Sequence, residues 1–190
     1  MYLKRNQSGF TIVELLIVVV VIGILAAIVI VAYNGITQSA QKAAVVSAVN
    51  QTTKLFDVYA LQYGSYPSVS TYTCIAGFDE SGDCHYASGN DPGRSSTLET
   101  ELQKVGTIPS FPSDIHSAYN GLVFRYAATE TYQGKPARYT LEWKLQGENQ
   151  DCGVANSVRL ASGAFSPAPN HASWTGTTQC LALLTDPGNL

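Results

Sequence analysis

Glu14 is an acidic residue at the edge of an otherwise apolar stretch, and its placement is the main chemical signal of the N-terminal region. The stretch from Leu15 to Ala32 has no polar or charged side chain. A charged side chain at the centre of a membrane helix costs about 2.5–3.5 kcal/mol unless a partner neutralises it. We therefore expect Glu14 to pair with a cation. The alternative is a simple anchor whose carboxylate reaches the lipid headgroups.

The apolar stretch is long enough to cross a membrane. Its 18 residues would extend about 27 Å as a helix, close to the hydrocarbon thickness of about 30 Å. Because the run continues into helical sequence after Tyr33, we interpret it as a retained segment and not as a secretory signal peptide. Lys4 and Arg5 precede it, and positive flanks mark the cytoplasmic side, so the rest of the chain is expected outside.

The residues around Glu14 also form a specific motif. The basic residues Lys4 and Arg5 are followed by Gly9, by Phe10 and then by Glu14 ahead of the apolar stretch. This pattern resembles the class III signal of type IV pilins and of the pseudopilins of type II secretion. The likeness runs without a gap from residue 4 to about residue 34.

The resemblance implies a role for three of these residues. Gly9 would end a leader of residues 1–9, and a membrane-embedded prepilin peptidase would cut the bond between Gly9 and Phe10. The same enzyme would methylate the new amino group of Phe10. Glu14 would pair with the α-amine of a neighbouring subunit, and this pair would fix the axial register, because another stagger leaves a charge unpaired in hydrocarbon.

The chain departs from the family pattern at one position. Many type IV pilins have a proline soon after the corresponding apolar segment, where this chain has Val31. Proline weakens a helix. Its absence leaves open whether the helix melts locally on assembly, and Gly23 remains a weak point.

Helical periodicity continues beyond the apolar stretch. Apolar and small residues recur at steps of three and four and predict one buried stripe, formed by Val45, Val49, Thr52, Phe56, Tyr59 and Tyr63. Gly64, ahead of Pro67, predicts the end of the helix. We therefore divide the chain after the leader into an assembly half (10–34), an amphipathic half (35–64) and a globular head (65–190).

The head is predicted to be an antiparallel sheet. Alternating apolar residues predict strands over 122–127 and 139–145, joined by a loop with Gly134 and Pro136. Shorter strands are expected near 157–160 and 179–184, and a short helix around 96–104. The predicted fold class is α+β. The resemblance implies a curved antiparallel sheet on the second half of the long helix, with the last loop closed by a disulfide.

Four cysteines lie in the part predicted to be outside, where disulfides persist: Cys74, Cys84, Cys152 and Cys180. Of three possible connectivities we favour a bridge within the first two and a bridge within the last two, because each closes a local, turn-rich segment. A zinc site is less favoured, because no C-x-x-C spacing occurs and the histidines are scattered, at His85, His116 and His171.

Two other site types are considered and not favoured. The acidic residues Asp79, Glu80 and Asp83 could hold calcium but lack an EF-hand pattern, so we interpret them as solvated loop acids. An enzyme would rest on His116 near Asp114, yet no nucleophile elbow, metal motif or phosphate-binding loop accompanies them. No catalytic residue, metal site or cofactor is therefore predicted.

Three functions remain, in order of preference. The first is a structural pilus subunit that starts in the bacterial cytoplasmic membrane, N-terminus inside, and ends in a surface filament. Its expected partners are its own copies, the prepilin peptidase, membrane lipid before assembly, the assembly machinery and minor pilins. The second is a pseudopilin of type II secretion or of a competence DNA-uptake machine, and the third is a membrane-anchored enzyme.

Bulk charge gives no support to nucleic-acid binding. From Phe10 onward, nine basic residues stand against 14 acidic residues, a formal charge of −5. Proteins that bind nucleic acid nonspecifically present basic surfaces to phosphate. We therefore do not expect DNA to bind the head by charge alone.

Overall fold

A computed structural model describes residues 9–69, 72–77, 83–84, 92–112, 120–128, 131–132, 135–136, 138–159, 165–166 and 176–184. The chain divides into two compact units, Met1–Ala40 and Gln41–Leu190. One helix, α1, spans Ile12–Tyr63. The other elements are β1 (Tyr72–Ala76), α2 (Ser96–Gln103), β2 (Leu122–Tyr126), β3 (Thr131–Tyr132), β4 (Lys135–Pro136), β5 (Tyr139–Gln146), β6 (Ser157–Arg159), β7 (Phe165–Ser166) and β8 (Thr177–Leu183).

The end of α1 follows the sequence prediction. The helix stops at Tyr63, and Gly64 follows with φ of 74°. Its amide donates to the carbonyl of Ala60 at 2.8 Å. A left-handed residue after a helix is usually glycine, because a side chain would clash there.

In the first unit every described residue is exposed, from 9 to 40. These residues include the whole apolar stretch. Its side chains are therefore not buried within the fold of the chain. By length and composition α1 is able to cross a membrane, with a mean hydropathy of 3.6 in its most apolar window. This exposure is expected of a surface that lipid or another copy covers.

In the second unit the described strands form a main sheet in the order β1-β2-β5-β8-β6, with every neighbouring pair antiparallel. The predicted strand pair is confirmed, since β2 lies beside β5 with Phe124 opposite Leu141. The two shorter strands appear as β6 and β8, and the short helix as α2. The predicted connection between β2 and β5 is more structured than expected, because β3 and β4 form within it.

The core lies between the sheet and α1. The buried helix residues are Val45, Ala48, Val49, Thr52, Phe56, Tyr59 and Ala60. Phe56 stacks on Phe124 of β2, with ring centroids 4.7 Å apart. The α+β architecture predicted from the sequence, a long helix packed on an antiparallel sheet, is confirmed, and it is consistent with a pilin fold.

Tyr63 is the exception in the predicted stripe, and its assignment to the core is wrong. It is 45% exposed because it lies in the last turn of α1. Its ring rests against Tyr59 of the same helix, at 4.5 Å between centroids, and the ammonium of Lys104 lies 5.9 Å from its centre. The ring therefore packs at the surface and not within the core.

Candidate functional site

Glu14 lies in the first turn of α1 and is bonded to Thr11. The backbone amide and the hydroxyl of Thr11 both donate to Oε2 of Glu14, at 2.8 Å and 2.7 Å. The amide of Glu14 donates in return to the Thr11 hydroxyl oxygen at 3.3 Å. This reciprocal arrangement is a capping box, which satisfies amides that a helix start leaves unbonded.

The contact of Thr11 with Glu14 was not predicted from the sequence, although the sequence contains a signal for it. Threonine followed three residues later by glutamate, just before an apolar run, is the signature of a capping box. In the described part of the chain the partner of Glu14 is thus a neutral group.

Gly9 and Phe10 precede the first helical residue. Both are exposed, and the Phe10 side chain is 82% accessible. A Cβ added to Gly9 would meet no atom within 4 Å. The bond between these two residues is therefore non-helical and exposed.

The structure places the four cysteines in two disulfides, the same two pairs favoured above. Cys74 bonds to Cys84, with Cα atoms 5.4 Å apart, and Cys152 to Cys180, with Cα atoms 5.7 Å apart. No cysteine is free. The first bridge joins β1 to a segment whose Cys84 amide donates to the carbonyl of Pro92 at 3.2 Å.

The residues considered for metal or enzyme chemistry are mostly outside the described ranges. These are His85, His116, His171, Asp79, Glu80 and Asp114. Asp83 is described, and its backbone forms a β-bridge with Gly93. No group of three potential metal ligands occurs among the residues that the structure describes.

Comparison with known sequences bears on the same N-terminal segment. Residues 4–30 match the family model described as the prokaryotic N-terminal methylation motif. This match includes Gly9, Phe10 and Glu14. No solved structure shows significant similarity to the chain.

Curated relatives fall into two classes, a type II secretion protein on one side and fimbrial or type IV pilin proteins on the other. Type II secretion system core protein G of Aeromonas hydrophila is 37% identical over 65 residues, which are 34% of this chain and 46% of that protein. A fimbrial protein of Neisseria meningitidis serogroup A is 39% identical over 71 residues, covering 37% of this chain and 41% of its own length. A type IV major pilin of Neisseria gonorrhoeae is 38% identical over 71 residues, covering 37% and 42%.

The chain spans less than half the length of these curated relatives. The resemblance predicted from the sequence is confirmed within that span. The chain carries the prepilin methylation motif, and its homologues are type IV pilins and type II secretion core protein G.

Proposed function

We propose that the chain is a structural subunit of a type IV pilus-like filament. A prepilin peptidase removes residues 1–9, methylates Phe10, and leaves residues 10–34 as the segment that anchors and then polymerises. Residues 35–64 carry the head, 65–190. The observation that supports this most directly is the fully exposed apolar stretch, most of which lies within the match to the methylation motif.

The proposed mechanism is a change of apolar surroundings. Before assembly, lipid covers the exposed side chains of the first unit, in a cytoplasmic membrane with the N-terminus inside. In the filament, the same side chains pack against other copies, so little apolar surface is exposed to water at either stage. The subunit acts through this surface and its head, without a cofactor and without catalysing a reaction.

In this proposal Glu14 sets the axial register between neighbouring subunits. Its carboxylate is held by Thr11 and has a neutral partner in the described chain. Cleavage after Gly9 creates an amino group on Phe10, and the amine of a neighbouring copy neutralises Glu14 within the apolar bundle. A shifted neighbour would leave both charges unpaired, at a cost of several kcal/mol per buried ion.

A pseudopilin is the second candidate, because the relatives include core protein G at an identity close to that of the fimbrial protein. Such a subunit would assemble within a secretion or DNA-uptake machine. Shearing cells and probing the released fibres separates the two. Subunits in sheared surface fibres support a pilus, and subunits confined to envelope fractions support a pseudopilus.

Mass spectrometry of the N-terminus of the native protein tests the processing step that both candidate functions share. We expect a chain that begins at N-methylated Phe10. A Gly9→Leu variant should retain the leader, because the residue before the cut no longer fits, while Ser8→Ala should be cut normally. An intact Met1 in the wild-type protein, or a cut near Ala27, would contradict the proposal.

A further inference from the structure

One short sequence pattern occurs twice in the chain, and the two copies lie in different structural surroundings. Residues 32–36 read Ala-Tyr-Asn-Gly-Ile, and residues 118–122 read Ala-Tyr-Asn-Gly-Leu. Asn34 and Gly35 of the first copy lie inside α1. Asn120 and Gly121 of the second copy lie in irregular backbone just before β2. The local sequence is therefore nearly the same in both copies, and the structure is what differs.

An asparagine that is followed by glycine loses its side-chain amide without an enzyme. The backbone nitrogen of the glycine gives up its proton and attacks the side-chain carbonyl carbon, Cγ. The new bond closes a five-membered succinimide, the bond from Cγ to Nδ2 breaks, and ammonia leaves with a proton. Water then opens the ring at either carbonyl, which gives aspartate or isoaspartate. Glycine favours this intramolecular attack because it has no Cβ to shield its nitrogen.

The side chain of Asn120 is weakly restrained in the described part of the chain. Asn120 is half-buried, and its Oδ1 is buried without a hydrogen-bond donor among the described residues. A buried acceptor without a donor is unfavourable, and no bond from a described residue fixes the amide through this atom. Gly121 has φ of 104°, in the left-handed region. The backbone that supplies the attacking nitrogen is therefore not helical.

The copy in α1 provides an internal comparison. Inside an α-helix each amide donates to the carbonyl four residues back, and the backbone is held at helical dihedral angles. The nitrogen of Gly35 is therefore engaged, and it reaches Cγ of Asn34 only after that turn of the helix opens. Opening a turn costs free energy that an irregular segment does not require. Asn34 should therefore react more slowly, although its side chain is exposed.

We propose that Asn120 is a site of spontaneous deamidation, and that its products loosen the edge of the main sheet where β1 meets β2. The reaction places a negative charge where the side-chain oxygen is buried and unpartnered among the described residues. In isoaspartate the main chain runs through Cγ, so one extra methylene enters the backbone directly before β2. Both changes act at the point where Leu122 pairs with Ala76 of β1.

The backbone around Gly121 has no room for such a change. A Cβ on Gly121 would overlap Sγ of Cys84 and would lie 3.0 Å from the carbonyl oxygen of Ala76. A Cβ on Gly77 would lie 2.7 Å from Cα of Gly121. Because protein interiors are closely packed, an added backbone atom must displace these neighbours. For the same reason Gly121→Ala is unsuitable as a test, and Asn120→Gln is used instead, since glutamine closes a six-membered ring much more slowly.

Peptide mapping by mass spectrometry tests the site. The full chain is incubated in detergent micelles at mildly alkaline pH, and the deamidated fractions at Asn120 and Asn34 are followed with time. We expect Asn120 to react at least about tenfold faster than Asn34, because the helical turn must open first. In denaturant the two should react at similar rates. A folded chain in which Asn120 reacts no faster than Asn34 would overturn the proposal.

Hydrogen exchange tests the structural consequence. Ion exchange separates the modified chain, which carries an extra negative charge, from the unmodified chain of the same preparation. Amides of β1 and β2 should exchange faster in the modified fraction, and equal exchange in the two fractions would contradict the loosening. Asn120→Gln, incubated in the same way, should keep the unmodified profile, whereas Asn34→Gln should behave as wild type. Because the fractions come from wild-type protein, the test remains valid if Asn120→Gln does not fold, and it does not require polymerisation.

Discussion

The hydroxyl of Tyr59 on α1 donates a hydrogen bond of 2.6 Å to Glu101 on α2. Glu101 also accepts from Lys104, at 2.6 Å. Lys104, followed by Tyr59, holds the pKa of Glu101 below its ordinary value. Burial, followed by the bond to Glu101, raises the pKa of Tyr59 to about 12. The short helix is thus joined to the long one by a protonated phenol and an ionised carboxylate.

Replacing Tyr59 by phenylalanine should remove this hydrogen bond between the two helices while keeping the aromatic ring. We expect the thermal midpoint of the full chain to fall by about 2–4 °C at neutral pH, because Glu101 loses a donor. A carboxylate with a lowered pKa contributes stability above its ordinary value, and this is lost as pH falls through the folded-state pKa. The difference should therefore shrink towards about pH 3. Tyr63→Phe, at an exposed position, is the control. Equal midpoints for Tyr59→Phe and wild type would show that the bond between Tyr59 and Glu101 does not stabilise the chain.

The contact between Phe56 and Phe124 predicts a large core effect. Phe56 is fully buried and its ring stacks on Phe124. Phe56→Ala should reduce the free energy of unfolding by about 3–5 kcal/mol, through lost transfer energy and a residual cavity. Phe56→Leu should cost less.

Chemical denaturation of the full chain in detergent measures both core variants. Val58→Ala changes an exposed residue of the same helix and should stay within about 0.5 kcal/mol of wild type. A loss below about 1 kcal/mol for Phe56→Ala would show that the stacked pair is not central to the head.

The helix and the central strands could be predicted from the sequence because their signals are local. Residues such as Val49 and Phe56 recur at helical spacing, and Gly64 can adopt the left-handed conformation that ends a helix. Tyr63 fits the same periodicity, but periodicity does not reveal where the sheet stops covering the helix. Its exposure depends on tertiary structure.

The buried charges could not be predicted from the sequence. Glu142 and Lys144 alternate with Leu141 and Trp143, a pattern typical of a strand with one solvent-exposed face. The structure buries both faces of β5. Which residues share a buried face depends on the order of distant strands, since Tyr72 and Gln179 reach Glu142 only through β1 and β8.

The two disulfides should differ in their contribution to stability. Cys152 and Cys180 are separated by 28 positions, and Cys74 and Cys84 by 10. Closing a longer loop removes more entropy from the unfolded chain, so removal of the longer bridge should cost about 1 kcal/mol more. We would compare the two double alanine variants by denaturant unfolding of the full chain. Equal losses, or a larger loss for the shorter loop, would contradict this account.

Glu14 caps its helix in the structure, and we propose that it also pairs with a cation, so the two roles need to be separated. Glu14→Gln keeps an oxygen that can accept from Thr11 and suits a capping box, but it removes the charge. Thr11→Val removes the hydroxyl contact and keeps the charge. If pairing sets the register, as proposed, Glu14→Gln should reduce the yield of sheared filaments by about tenfold or more, an energy of about 1.4 kcal/mol. Thr11→Val should stay within about twofold of wild type, since one cap contact is worth less.

Filament yield is read as the ratio of subunit in sheared fibres to total subunit, with membrane fractions showing that each variant is inserted. Both variants leave the apolar stretch intact, so insertion should be unchanged. Filaments of native amount and order from Glu14→Gln, at normal abundance, would assign the residue to capping alone. A loss confined to Thr11→Val would point the same way, because the hydroxyl contact and not the charge would then limit assembly.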